Sequence, residues 1–156
     1  MPRLSVEIER KYLLSAIPDM PAARDVLEIE QGYIPGRTLH ERLRRQRHSD
    51  GTIRCFRTVK LGSGLERLEL EDETTPAIFD HLWVLTEGKR LRKRRYLVAD
   101  GPRTWEIDEF TDRVLHLAEL EIPTRDTAIS IPDWLQPVLV RDVTDDGTYS
   151  NSRLAR

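Results

Sequence analysis

The stretch VEIERKYLL, residues 6–14, carries Glu7, Glu9 and Lys11 at every second position. Side chains of a strand alternate between its two faces, so these three charges point one way while Val6, Ile8 and Tyr12 point the other. A half-exposed strand of an antiparallel sheet alternates in the same way merely to keep one side in water. One segment therefore leaves two readings open, and the rest of the chain must separate them.

The pattern recurs. Same-face charged pairs or triplets appear as Arg42 and Arg44; Arg67, Glu69 and Glu71; Lys93 and Arg95; Glu106 and Asp108; Glu119 and Glu121. The intervening Leu43, Leu68, Leu70, Ile107 and Leu120 are apolar, as expected of a face turned toward a covering layer of helices. Alternation and turn signals place eight strands near residues 4–14, 26–33, 39–47, 53–60, 65–72, 91–99, 103–110 and 115–122. The Asp-Gly pairs at 50–51 and 100–101 favour tight turns, Gly62-Ser63-Gly64 reads as another turn, and strands joined so closely must run antiparallel.

One helix is expected after Thr75, with Pro76 at its first position and Ile78, Phe79, Leu82, Trp83 and Leu85 at helical spacing. Shorter helical stretches are expected around 18–25, 133–140 and after Tyr149. The fold class is thus α+β, mainly β, in one domain over residues 1–156, with no internal repeat.

Composition narrows the function classes. The 25 basic and 27 acidic residues nearly cancel, to a net charge of −2, which argues against a general nucleic-acid binder. The basic run KRLRKRR at 89–95 reads as a strand with bases on both faces. No apolar run approaches a membrane span and no signal segment opens the chain, so no membrane partner and a cytoplasmic location are expected. Cys55 is the single cysteine, which fits a reducing compartment. His40, His48, His81 and His116 lack metal-ligand spacing. Gly62-Ser63-Gly64 is too short for a phosphate-cradling loop.

Repeated like charges on one sheet face are costly unless opposite charges or ligands intervene. Either the face is a solvated exterior of mutually neutralising pairs, or the sheet closes into an eight-stranded antiparallel barrel with the charges inside. A polar interior needs partners, and a polyphosphate with divalent cations supplies them. Lys11, Arg42, Arg44, Lys60, Arg67, Lys93 and Arg95 would hold phosphate oxygens. Glu7, Glu9, Glu69, Glu71, Glu119 and Glu121, with Asp108 counted among them, would bind Mg²⁺ or Mn²⁺ through oxygen.

The ordered set E-I-E-R-K (7–11), Q-G-Y (31–33), R-L-R (42–44), T-V-K (58–60), R-L-E-L-E (67–71), K-R-R-Y (93–96), E-I-D-E-F (106–110) and E-L-E (119–121) resembles the CYTH family of triphosphate tunnel metalloenzymes. The resemblance covers nearly the whole chain. It implies an eight-stranded antiparallel tunnel, divalent-cation dependence, and hydrolysis or cyclisation of a triphosphate-containing small molecule. It also implies that Glu7, Glu9 and Lys11 form the signature strand, that Arg42, Arg44, Lys60, Arg67, Lys93 and Arg95 surround the phosphates, and that Glu119 and Glu121 are late metal-binding acids. TYSNSRLA at 148–155 resembles the family's C-terminal segment and is expected over one tunnel mouth. Arg57 and Arg94 depart from the pattern and, by strand parity, should point outward.

The expected activity is metal-dependent hydrolysis of inorganic triphosphate or a related compound, with Glu7, Glu9 and Lys11 as the catalytic group. A basic role for Lys11 toward water requires a lowered pKa. A class IV-type adenylyl cyclase, a thiamine triphosphatase and a non-catalytic polyphosphate-binding module remain alternatives. The chain is expected to act as a monomer or homodimer.

Overall fold

Alternating residues build nine strands: β1 (Arg3–Leu14), β2 (Asp25–Ile34), β3 (His40–Arg47), β4 (Ile53–Leu61), β5 (Glu66–Thr74), β6 (Arg90–Asp100), β7 (Arg103–Phe110), β8 (His116–Glu121) and β9 (Leu139–Asp142). The computed structural model describes residues 3–37, 39–61 and 65–156, so the turn expected at Gly62-Ser63-Gly64 lies outside the described residues. Strands run in the order β5-β4-β3-β2-β6-β7-β8-β1, and β1 pairs back onto β5, which closes an eight-stranded antiparallel barrel.

The length of β1 makes closure possible. Its Arg3–Ile8 half pairs with β5 and its Glu9–Leu14 half with β8. Where β5 ends, β9 takes over that edge opposite Tyr12–Leu14. The ninth strand falls where a helix was expected at 133–140; only a one-turn 3-10 helix, Gln136–Val138, precedes it. Residues 18–25 likewise form no helix until β2 begins, because Pro18 and Pro21 remove backbone donors and bias their preceding residues toward extended backbone.

Both Asp-Gly turns form, with Gly51 and Gly101 at φ of +88° and +58°. Helix α1 (Pro76–Trp83) starts as expected, the Thr75 side chain accepting from the Ile78 N–H. It drives Phe79 onto Leu43 and Cys55, all three buried. Gly32 lets β2 approach this layer: a Cβ there would lie 2.7 Å from Thr86 and 2.8 Å from Trp83.

The cover over the rest of the barrel is mostly irregular chain. Trp105, Ile107 and Leu120 are buried under segments carrying Ile17, Met20, Ile131 and Leu135. Leu43, Ile107 and Leu120 therefore face a covering layer, but Leu68 is only half-buried and Leu70 is 41 % exposed beside Leu4 and Val6. Arg57 and Arg94 do point outward, paired with Glu41 and Glu28. No helix among the described residues is long and apolar enough to cross a membrane.

The C-terminal segment is tied across one end of the barrel. Val143 N–H donates to the Lys11 carbonyl, Arg90 and Arg156 exchange main-chain hydrogen bonds, and the Arg113 guanidinium donates to the Leu154 carbonyl. Val143 and Ala155 complete an apolar plug with Tyr33, Leu91, Phe110 and Leu117.

Candidate active site

The charged faces line a central cavity of about 1310 Å³. Its wall contains Glu7, Glu9, Lys11, Arg42, Arg44, Lys60, Arg67, Glu69, Glu71, Lys93, Arg95, Glu119 and Glu121, which strand parity and the closed ring aim inward together. Segment 143–153 contributes Val143, Asn151 and Arg153 at one end, while Arg24, Gln46, Pro102 and Arg103 border the other.

Asp108 is the exception among the expected site residues. Its carboxylate is fully buried and accepts from Lys93 Nζ at 2.7 Å and from Arg95 Nε and NH2 at 2.7 Å each, so the pocket wall does not include it. The oxygens of Asp108, expected as a metal acid, are thus engaged by the chain's own cations. Glu69 sits 2.7 Å from Lys60 Nζ, and one Glu71 oxygen accepts from Arg42, Arg44 and the Thr58 hydroxyl, so both are also bound to side chains.

The acids that converge are Glu9, Glu106 and Glu119, whose nearest carboxylate oxygens lie within 4.8 Å of one another; this is the one such group among the described residues. Glu106 was not assigned a site role from sequence. Its signal was there, two residues before Asp108 on the same face, but alternation alone does not say which of the two reaches across to β8. The register does, placing Glu106 opposite Glu119.

Electrostatics separates the groups further. Burial and the charge of Glu119 push Glu9 up to about 7, and burial with Glu69 and Glu121 does the same to Glu7. Burial outweighs the Arg95 guanidinium to raise Glu106. Glu119 is held well below the usual carboxylate range, because Lys11, Arg95 and Lys93 overcome its burial. Its Oε1 nonetheless has no hydrogen-bond partner, with Lys11 Nζ at 3.4 Å.

Burial would depress Lys11, but Glu119 and Glu9 overcome it and raise its pKa; its ammonium also donates to the Tyr149 carbonyl at 3.2 Å. The lowered pKa that a basic role for Lys11 demands is therefore not met. Lys60 is pushed down, to about 7, by burial and then by Arg42, and burial and Arg95 lower Lys93 as well. Arg44 falls to about 10 through burial and Arg42. Arg42, Arg44 and Arg67 each retain a buried Nε–H with no partner.

Donors on Arg42, Arg44 and Arg67 and carboxylate oxygens on Glu69 and Glu119, all without a hydrogen bond, thus share one tunnel, an arrangement suited to an oxyanion and a cation bound together. Related chains have the same build. An inorganic triphosphatase from Nitrosomonas europaea is 36 % identical over 96 % of this chain and 96 % of its own length. The chain belongs to the CYTH triphosphate tunnel family. A second member, an inorganic triphosphatase from Acetivibrio thermocellus, is 32 % identical over 96 % of this chain and 93 % of its own. The crystal structure of the inorganic triphosphatase NE1496 superimposes on this tunnel with a TM-score of 0.65 at 32 % identity, covering 96 % of this chain and 93 % of that one. No protein-family model matches the chain.

Proposed function

We propose that this protein is a divalent-metal-dependent triphosphatase that hydrolyses inorganic triphosphate inside the tunnel. The observation that carries the reading is the trio of buried guanidinium N–H groups on Arg42, Arg44 and Arg67, left without hydrogen bonds in the same tunnel as the Glu69 and Glu119 oxygens that also lack one. The three charges are paired with Glu71, Glu9 and Glu69, but a buried N–H left without a hydrogen bond costs about 1–3 kcal/mol, so such groups persist where a ligand completes them.

Arg42, Arg44 and Arg67 bind phosphate oxygens, with Lys93 and Arg95 fixed by Asp108 to neutralise the chain from the opposite wall. Glu9, Glu106 and Glu119 would hold the cation, with Glu7 and Glu121 at its flank. All are oxygen donors, which fits Mg²⁺ or Mn²⁺; when bound, such an ion neutralises phosphate charge and lowers the pKa of a water. Lys11 remains an ammonium that orients the reacting phosphate or water. Lys60 is the lysine able to take a proton near neutrality.

The test is phosphate release from inorganic triphosphate, thiamine triphosphate and ATP with Mg²⁺, Mn²⁺ or EDTA. Metal-dependent release, fastest on inorganic triphosphate, is expected. Cyclic AMP with diphosphate would mark a cyclase instead, and no turnover on any substrate would mark a binding module.

A further inference from the structure

A hydrogen-bonded chain of three side chains borders the tunnel end opposite the C-terminal segment. Asp25, the first residue of β2, takes His48 Nδ1 at 2.7 Å on one oxygen. Its other oxygen accepts from the Ser49 N–H, the Ser49 hydroxyl and the Val26 N–H. These bonds hold the carboxyl well below the ordinary aspartate range, so it is an acceptor only, and His48 Nδ1 must carry the proton. In the neutral ring Nε2 is then an acceptor, and Gln46 Nε2 lies 3.1 Å from it. The amide nitrogen is turned toward His48, which leaves the carboxamide oxygen as the atom Gln46 offers to the cavity it lines.

That oxygen stands out among its neighbours. Along β3 the inward positions are His40, Arg42, Arg44 and Gln46, so two phosphate donors are followed, about 7 Å on, by an acceptor. An acceptor repels phosphate oxygen. The other end of the tunnel is crossed by residues 143–153, so a phosphate chain longer than the arginine zone must extend toward the end that Gln46 borders together with Arg24 and Arg103.

We propose that Gln46, oriented by the Asp25–His48 pair, is a specificity-determining residue that limits the tunnel to short phosphate chains. The inference rests on the triphosphatase reading and adds chain length to it. Arg54, opposite Gln46 in register, is engaged by Glu73 and leaves the orientation of the amide to His48.

The experiment compares kcat/KM for inorganic triphosphate and inorganic tetraphosphate at one pH. The unaltered protein is expected to prefer triphosphate. Gln46→Lys, a permanent donor in place of the acceptor, is expected to shrink that preference about tenfold, the order of one hydrogen bond to a charged group gained. His48→Leu, which frees the Gln46 amide to turn, is expected to shrink it in the same direction by less. A preference untouched by Gln46→Lys, or by His48→Leu, would overturn the proposal while leaving the triphosphatase reading intact. Absence of triphosphate turnover in the unaltered protein would overturn both.

Discussion

Asp108, behind the tunnel wall, and the three acids that converge in front of it differ in what surrounds them. Asp108 accepts three hydrogen bonds of 2.7 Å from Lys93 and Arg95 and is enclosed completely. Glu9, Glu106 and Glu119 instead crowd within 4.8 Å, and two of them are pushed toward protonation. The first group is balanced by the chain itself and behaves as structure. The second also meets cations, Arg95 at Glu106 and Glu119 and Arg67 at Glu9, but mutual repulsion and burial still raise two of its three acids, the kind of perturbation that clusters at functional sites.

Removing one acid from each group pulls the two apart. Glu9→Gln should lower phosphate release by about a thousandfold, because a preorganised ligand of the reacting charge is lost. Its melting temperature should hold or rise, since the substitution relieves like-charge crowding. A variant with ordinary turnover would take this strand out of the mechanism. Asp108→Asn should act in the reverse sense, on folding, by about 3–5 kcal/mol through the uncompensated Lys93 and Arg95. Denaturant unfolding reads this directly, and a loss below about 1 kcal/mol would erase the distinction between the groups.

Arg44→Ala should reduce kcat/KM by about a hundredfold, the worth of a charged hydrogen bond to phosphate, with the secondary structure unchanged. Normal kcat/KM would leave its free Nε–H without a purpose.

The smallest effect concerns pH. Glu7 and Glu9 have folded-state pKa values near 7, above the ordinary 4.5. In the metal-free protein their contribution to stability is therefore fully present below about pH 4.5 and is lost as pH rises through about 7. A cation held by these acids displaces their protons, so Mn²⁺ should bind more tightly at pH 8 than at pH 6, by about tenfold for each proton displaced, and release protons mainly at the lower pH. Calorimetry in two buffers of different ionisation enthalpy checks both. Affinity independent of pH would exclude these acids as ligands.

Much of this was legible in sequence, for identifiable reasons. Period-two alternation located eight strands and told which side of each faces inward, so Arg57 and Arg94 fell outside as parity requires. What alternation does not carry is register between strands. Glu106 and Asp108 share a face and a charge, yet the stagger of β7 against β6 and β8 gives Asp108 to Arg95 and Glu106 to Glu119. Similarly, residues 139–142 form a strand because β1 outruns β5 and leaves an edge to fill, a fact of closure that no local window contains. The Asp25–His48–Gln46 chain joins residues 23 positions apart through a pairing that spacing alone does not reveal.

The depth at which Lys93 and Asp108 meet has a further consequence, for ionic strength. At 1 % and 0 % side-chain exposure the pair lies beyond the reach of mobile ions, which screen exposed charges over about 8 Å at physiological salt. Outer pairs such as Arg57–Glu41 are open to that screening and contribute little to begin with. Brine therefore competes with an incoming polyanion at the mouth but does not loosen the wall that receives it. Capture should weaken with added salt while the shape of the catalytic cavity stays the same.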